Sequence, residues 1–197
     1  MTVPCARTGP VFSMEAVPWM AELQTFAVEQ VHAIFNAVTL NNCHSAVTGT
    51  GGTIRPKCLV EILRALMETH EKPDSLLDVG CAFGHIILAA LLVGFAGSCG
   101  CELPSNMVQR LVFDQAKARI VLSAEDTCEW IGSDVMNLML TPHLRQKITA
   151  VYSFWFGISP AAQRRTLDLC RETFTNVRSL AVYLTRDYST PEHGMAA

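Results

Sequence analysis

The chain has 197 residues, half of them hydrophobic and 17% charged, with a mean hydropathy of +0.26. That composition suits one domain with a large core, and it implies a partner surface or a further segment for some of the apolar surface. Fifteen basic residues against eighteen acidic ones give a net charge of −3 with no basic run, which argues against tight binding to a nucleic-acid backbone.

Residues 1–13 read as a loose tail. The opening MTVPCARTGP carries no secretory pattern, so an intracellular protein with reduced thiols is expected. The eight cysteines form no C-x-x-C pair, and each reads as a small buried hydrophobe. Cys99 and Cys101, two apart in a strand-like run, share one face.

Apolar residues at helical spacing from Trp19 to Val38 predict an amphipathic helix within 18–38, acting as a lid, as packing, or as both. The stretch NNCHSAVTGTGGT, Asn41 to Thr53, is a glycine-rich loop, and Pro56 opens a second helix with Leu59, Ile62, Leu63, Leu66 and Met67 on one face. From Leu76 onward strands and helices alternate. Strands are predicted at 75–79, 97–102, about 128–132, 148–154 and 179–185, with helices at 84–94, 104–122, 140–147 and 160–176. The apolar run Ile86 to Phe95 is about ten residues long, which makes a buried helix rather than a membrane span. This alternation predicts an α/β fold, a Rossmann-like, doubly wound and mostly parallel sheet with an N-terminal helical segment. Tail and helix would occupy 1–48, the core 49–187 and a short tail 188–197.

In such a sheet, ligands bind beyond the carboxyl ends of the strands. The first strand ends Asp78-Val79-Gly80-Cys81-Ala82-Phe83-Gly84, or D-x-G-x-x-x-G. This is neither the G-x-G-x-x-G of nicotinamide sites nor a phosphate loop with Lys-Ser/Thr. Gly80 lets the chain turn and a ligand approach, Gly84 permits close contact as the helix begins, and Asp78 at the strand tip can accept from a ligand's ammonium or order the loop. The second strand ends in Glu102, placed to take both hydroxyls of an adenosyl ribose, and the third is followed by Asp134, which can meet an adenine amino group. An isolated acid at a strand end is usually a solvated loop residue, but three consecutive strand ends each carrying one point to a nucleoside site. His85, just after Gly84, reads as a packing or capping residue, and the histidines have no metal spacing.

With these motifs in order, residues 45–187 resemble the class I methyltransferases that use S-adenosylmethionine. The finer resemblance is to the non-SET histone lysine methyltransferases, the disruptor of telomeric silencing family. It is carried by Thr50-Gly51-Gly52-Thr53-Ile54 before the helix KCLVEILRAL, by Asp78-Val79-Gly80, Gly100-Cys101-Glu102 and Ser133-Asp134-Val135, and by TAVYSFWFGISPAAQRRTLDLC, Thr149 to Cys170. The resemblance implies a cofactor site of Thr50, Thr53, Asp78, Gly80, Ala82, Gly84, Glu102 and Asp134, no metal, a protein substrate such as a histone, and a nuclear location if the histone reading holds. It also carries departures. The family's Tyr-Gly-Glu is here Gly51-Gly52-Thr53, its second loop glycine is Ala82, and the asparagine pair at the methyl-transfer end is Phe154 and Trp155. Phe154-Trp155-Phe156 can form an aromatic wall for a lysine ammonium or simply pack in the core, and successive strand residues cannot all face one side. The last residues, DYSTPEHGMAA, are too short and polar for the antiparallel hairpin that usually closes this fold, so either a minimal domain or a fragment with an exposed sheet edge is expected.

Overall fold

A computed structural model describes residues 26–37, 56–68, 75–120, 127–155 and 158–183. Two helices lead: α1 at 26–37 and α2 at Pro56–Glu68. Then follow β1 Ser75–Val79, α3 His85–Val93, β2 Gly97–Glu102, α4 Met107–Lys117, β3 Thr127–Gly132, α5 Pro142–Lys147, β4 Ile148–Phe154, α6 Pro160–Asp168 and β5 Ser179–Tyr183. The five strands pair only in parallel, in the order β3-β2-β1-β4-β5.

The chain therefore winds outward from β1 to β3, then returns to lay β4 beside β1. That reversal opens a crevice between the carboxyl ends of β1 and β4. The two strands that flank it are the apolar ones. Every residue of β1 is buried, as is β4 up to Ser153, as expected for strands covered on both faces. The edge strand β3 instead mixes exposed and buried positions.

One face of the sheet is covered by α1, α2, α3 and α4. Val28, Leu59, Leu63, Ala89 and Tyr152 share one core cluster there, and Val31, Phe35, Ile87, Phe113 and Trp130 share the next. The opposite face holds Leu77, Val79, Cys99, Cys101, Val151 and Leu169. Cys99 and Cys101 thus lie on one face, as their spacing predicts. Helix α3, HIILAALLV, is apolar all round because it lies between sheet and helices.

Several boundaries differ from the sequence reading, each for a local reason. The expected helix 104–122 is shorter. Leu103 precedes a proline, which disfavours helix, and the Asn106 amide closes a turn onto the Leu103 carbonyl at 3.0 Å, so α4 starts only at Met107. The expected helix 160–176 starts as predicted, with the Ser159 hydroxyl accepting from the Ala162 amide at 3.2 Å and Pro160 in the first turn, but it widens into a π-helical turn at Leu169–Thr173. Helix α5 begins two residues late, at Pro142, where Thr141 caps it through the Leu144 amide. Of the expected helix 18–38, residues 26–37 are described and helical, while the glycine-rich loop 41–53, Phe156, and the chain beyond Tyr183 lie outside the described residues. No helix among the described residues is long and apolar enough to cross a membrane.

Candidate cofactor site

The turn after β1 carries three left-handed residues, Gly80 (φ 79°), Ala82 (φ 45°) and Gly84 (φ 81°). The turn is tied to the next strand, with the amides of Gly80 and Cys81 both donating to the Cys101 carbonyl, at 2.9 and 3.1 Å. Glycine at 84 is required twice over. The backbone is left-handed, and a Cβ would overlap the buried ring of Phe113 on α4. Ala82 tolerates its conformation because it is held from both sides. Its amide donates to Glu102 Oε2 at 2.8 Å, and its carbonyl accepts from Trp130 Nε1 at 2.9 Å.

Glu102 ends β2 as predicted. Its Oε2 receives the Ala82 amide, and its Oε1 receives the Leu103 amide at 2.9 Å and Asn106 Nδ2 at 3.0 Å. A carboxylate has about four acceptor positions, so three of them are filled by these bonds. To take both hydroxyls of a ribose, Glu102 would have to release or share one of these bonds. It can accept one without giving up a bond to its own loop.

Asp78 is not at the strand tip. It is the fourth residue of β1, 2% exposed, opposite Gly100 of β2 and Tyr152 of β4. Its Oδ1 is buried with no hydrogen-bond partner among the described residues. Burial first, and the Glu102 carboxylate second, push its carboxyl well above the ordinary carboxylate range. Asp134 lies just past β3, where its Oδ1 caps the short 3-10 turn Val135–Asn137 by accepting from the Met136 amide at 2.9 Å. The Ser133 amide donates to the Glu102 carbonyl at 2.9 Å, which locks the ends of β2 and β3 together.

Across the crevice, Ser153 on β4 donates from Oγ to the Val79 carbonyl at 3.1 Å. Phe154 packs against the core cluster of α2 and α3, so it belongs at least partly to the core. Trp155 is partly exposed, and its indole N–H is buried without a partner among the described residues. Gln163 ties Trp155 to Ile158, its Nε2 donating to the Ile158 carbonyl at 3.0 Å and the Trp155 carbonyl at 3.4 Å. Ile158 reaches over to β1, its Cδ1 standing 3.0 Å from where a Cβ on Gly80 would be. Thr50 and Thr53 lie outside the described residues.

His85 stacks on Phe35 of α1 at 3.9 Å, with His32 at 5.2 Å and Phe83 edge-on at 6.3 Å. Burial, and then His32, lower its pKa to about 3, so it is a neutral packing residue that seats α1 against the turn. Three contributors escaped the sequence reading: Trp130, Asn106 and Ile158. Only Asn106 left a usable signal, as a polar residue just before a helix and four after Glu102. Among the described residues, no cluster of His, Cys, Asp and Glu could hold a metal ion.

No family model and no curated protein matches this sequence. Solved structures do match. A Pyrococcus horikoshii protein assigned as an RNA methyltransferase aligns at 16% identity over 80% of this chain and 72% of its own, with a TM-score of 0.50. The fold is that of the class I methyltransferases. Two further matches are an amino pentose methyltransferase from Micromonospora echinaspora with SAM bound (15% identity, 75% and 54% coverage, TM-score 0.44) and a sugar N-methyltransferase from Streptoalloteichus (16%, 76% and 54%, TM-score 0.46). At such identities the likeness is one of fold.

Proposed function

We propose that this chain binds S-adenosylmethionine at the carboxyl edge of β1, β2 and β3 and positions it for methyl transfer. The observation that carries the reading is Asp78. A buried carboxyl with an unpartnered oxygen is costly unless something completes it, and an ammonium at the switch crevice would do so. The rest of the site fits the same ligand. Gly80 leaves the turn bare of side chain, Glu102 has one acceptor position open to a ribose hydroxyl, and the second oxygen of Asp134 remains for an adenine amino group. Leu103 and Met136 stand 46% and 45% exposed beside Glu102 and Asp134, and offer apolar surface to a base.

When bound, S-adenosylmethionine supplies an activated methyl group on a sulfonium, so alignment is the main task left to the protein. Asp78 would hold the amino end and Glu102 the ribose. Ile158 and Trp155 would close the crevice against water, and Gln163 would hold both in place through their carbonyls.

For the acceptor, we propose a protein amine, a histone lysine by the resemblance noted above. Partly exposed Trp155 at the end of β4 supports it, since an aromatic face guides a lysine ammonium. Incubation with labelled S-adenosylmethionine and core histones tests this. Label in histones supports it, whereas transfer only to small molecules moves the acceptor class elsewhere. A cofactor-binding module without catalysis is the second reading, favoured by the packing of partly buried Phe154 against the core. Cofactor binding with no transfer to any component of a cell extract would select it.

A further inference from the structure

We propose that binding of the cofactor expels a proton from Asp78, the ligand's α-ammonium taking the proton's place. The inference deepens the cofactor reading and rests on it. Its basis is the way the surroundings of Asp78 are built. The backbone donors nearest along the chain, the amides of Gly80 and Cys81, are already given to the Cys101 carbonyl. The titratable groups around the carboxyl are Cys81 on the turn, Cys99, Cys101 and Glu102 on β2, and Tyr152 beside it on β4. From α3, on the same face, comes the apolar Ile87, packed over Gly100. No cationic side chain among the described residues balances Asp78 and Glu102. Beside another acid, and with neither a donor to its Oδ1 nor a cation among the described residues, a buried acid holds its proton more tightly, and burial and Glu102 push its titration upward for that reason.

A ligand that brings its own cation reverses the balance. The O–H bond of the Asp78 carboxyl breaks, its proton leaves to the buffer, and the carboxylate pairs with the ammonium. No other bond changes. The adenosine half of the ligand meets Glu102 and Asp134 and needs no proton exchange.

The test is calorimetric titration of the full chain with S-adenosylhomocysteine, which has the ammonium and no sulfonium. It is run at about pH 7, where the ligand's α-amino group is protonated, in phosphate and again in Tris. The expected result is a buffer-dependent heat equal to release of up to about one proton per ligand, with affinity rising by at most about tenfold per pH unit. 5′-Methylthioadenosine, which lacks the amino acid end, should bind with the same heat in both buffers, and so should S-adenosylhomocysteine with Asp78→Asn. If that variant does not fold or bind, the two ligands compared on the unaltered protein still decide. Equal heats for S-adenosylhomocysteine in both buffers would overturn the inference, as would proton release that persists in Asp78→Asn. Absence of binding by either nucleoside to folded protein is a different result, and it removes the cofactor reading itself.

Discussion

Gly80 and Gly84 share a backbone conformation, at φ 79° and 81°, but not a neighbourhood. Alanine at either position suffers the left-handed penalty of about 1–2 kcal/mol. At Gly80 the only close neighbour of the new methyl among the described residues is Ile158, with Cδ1 at 3.0 Å and Cγ1 at 3.7 Å, the free end of a partly exposed side chain that can rotate away. At Gly84 the methyl overlaps the Phe113 ring and stands 3.4 Å from Ile87 Cδ1, and both side chains are buried. Overpacking of that kind adds about 1–3 kcal/mol. Gly84→Ala should therefore cost about 2–5 kcal/mol and Gly80→Ala about 1–2 kcal/mol. Urea unfolding followed by tryptophan fluorescence reads the difference, because an m-value of about 1–3 kcal/mol/M turns it into a clear shift of midpoint. Ligand binding should rank the pair the other way, since Gly80 faces the crevice and Gly84 faces α4. Equal stability of the two variants would refute the reasoning that Phe113 cannot yield.

His85 titrates near 6.5 unfolded and about 3 folded, so the folded state binds protons less readily and its contribution is lost as pH falls through that window. Between pH 7 and pH 5 the loss is about 2 kcal/mol at 1.36 kcal/mol per unit, and His85→Phe should flatten urea midpoints over that range. Asp78 has the opposite sign. Its folded pKa is raised, so the protein loses stability as pH climbs above 3.8, and Asp78→Asn should gain on the wild type in urea midpoint as pH is raised. Trp155→Ala should leave cofactor affinity nearly unchanged while methyl transfer to histones drops about two- to thirtyfold, the equivalent of a lost cation–π contact of about 0.5–2 kcal/mol. Equal loss of both would make Trp155 a structural residue.

The parallel sheet was legible because β1 and β4 are apolar runs and the helices between strands are periodic, and local pattern is all that such elements need. Glu102 was legible because a strand end is a position in sequence. What pattern could not reveal was the state of those acids. Nothing in the spacing tells that the Glu102 carboxylate is bound to Ala82, Leu103 and Asn106, or that Asp78 is sunk one residue below the tip with an oxygen unpaired. These depend on contacts across β1, β2 and β4. Trp130 was invisible for the same reason, since its bond to the Ala82 carbonyl spans 48 residues. The end of α6 was misjudged because LCRET continues a helical pattern, while the π-turn there answers to the packing of Leu169 against the sheet.

The central claim, that the edge formed by β1, β2 and β3 is a nucleoside cofactor site, is tested most directly by titrating the purified chain with S-adenosylmethionine in a calorimeter, alongside Glu102→Ala. Saturable binding of one ligand per chain is predicted. Loss of a charged acceptor for the ribose, at about 1.5–3 kcal/mol, should weaken it by at least about tenfold in the variant. A folded protein that gives no binding heat, or a variant that binds as well as the wild type, would contradict the account.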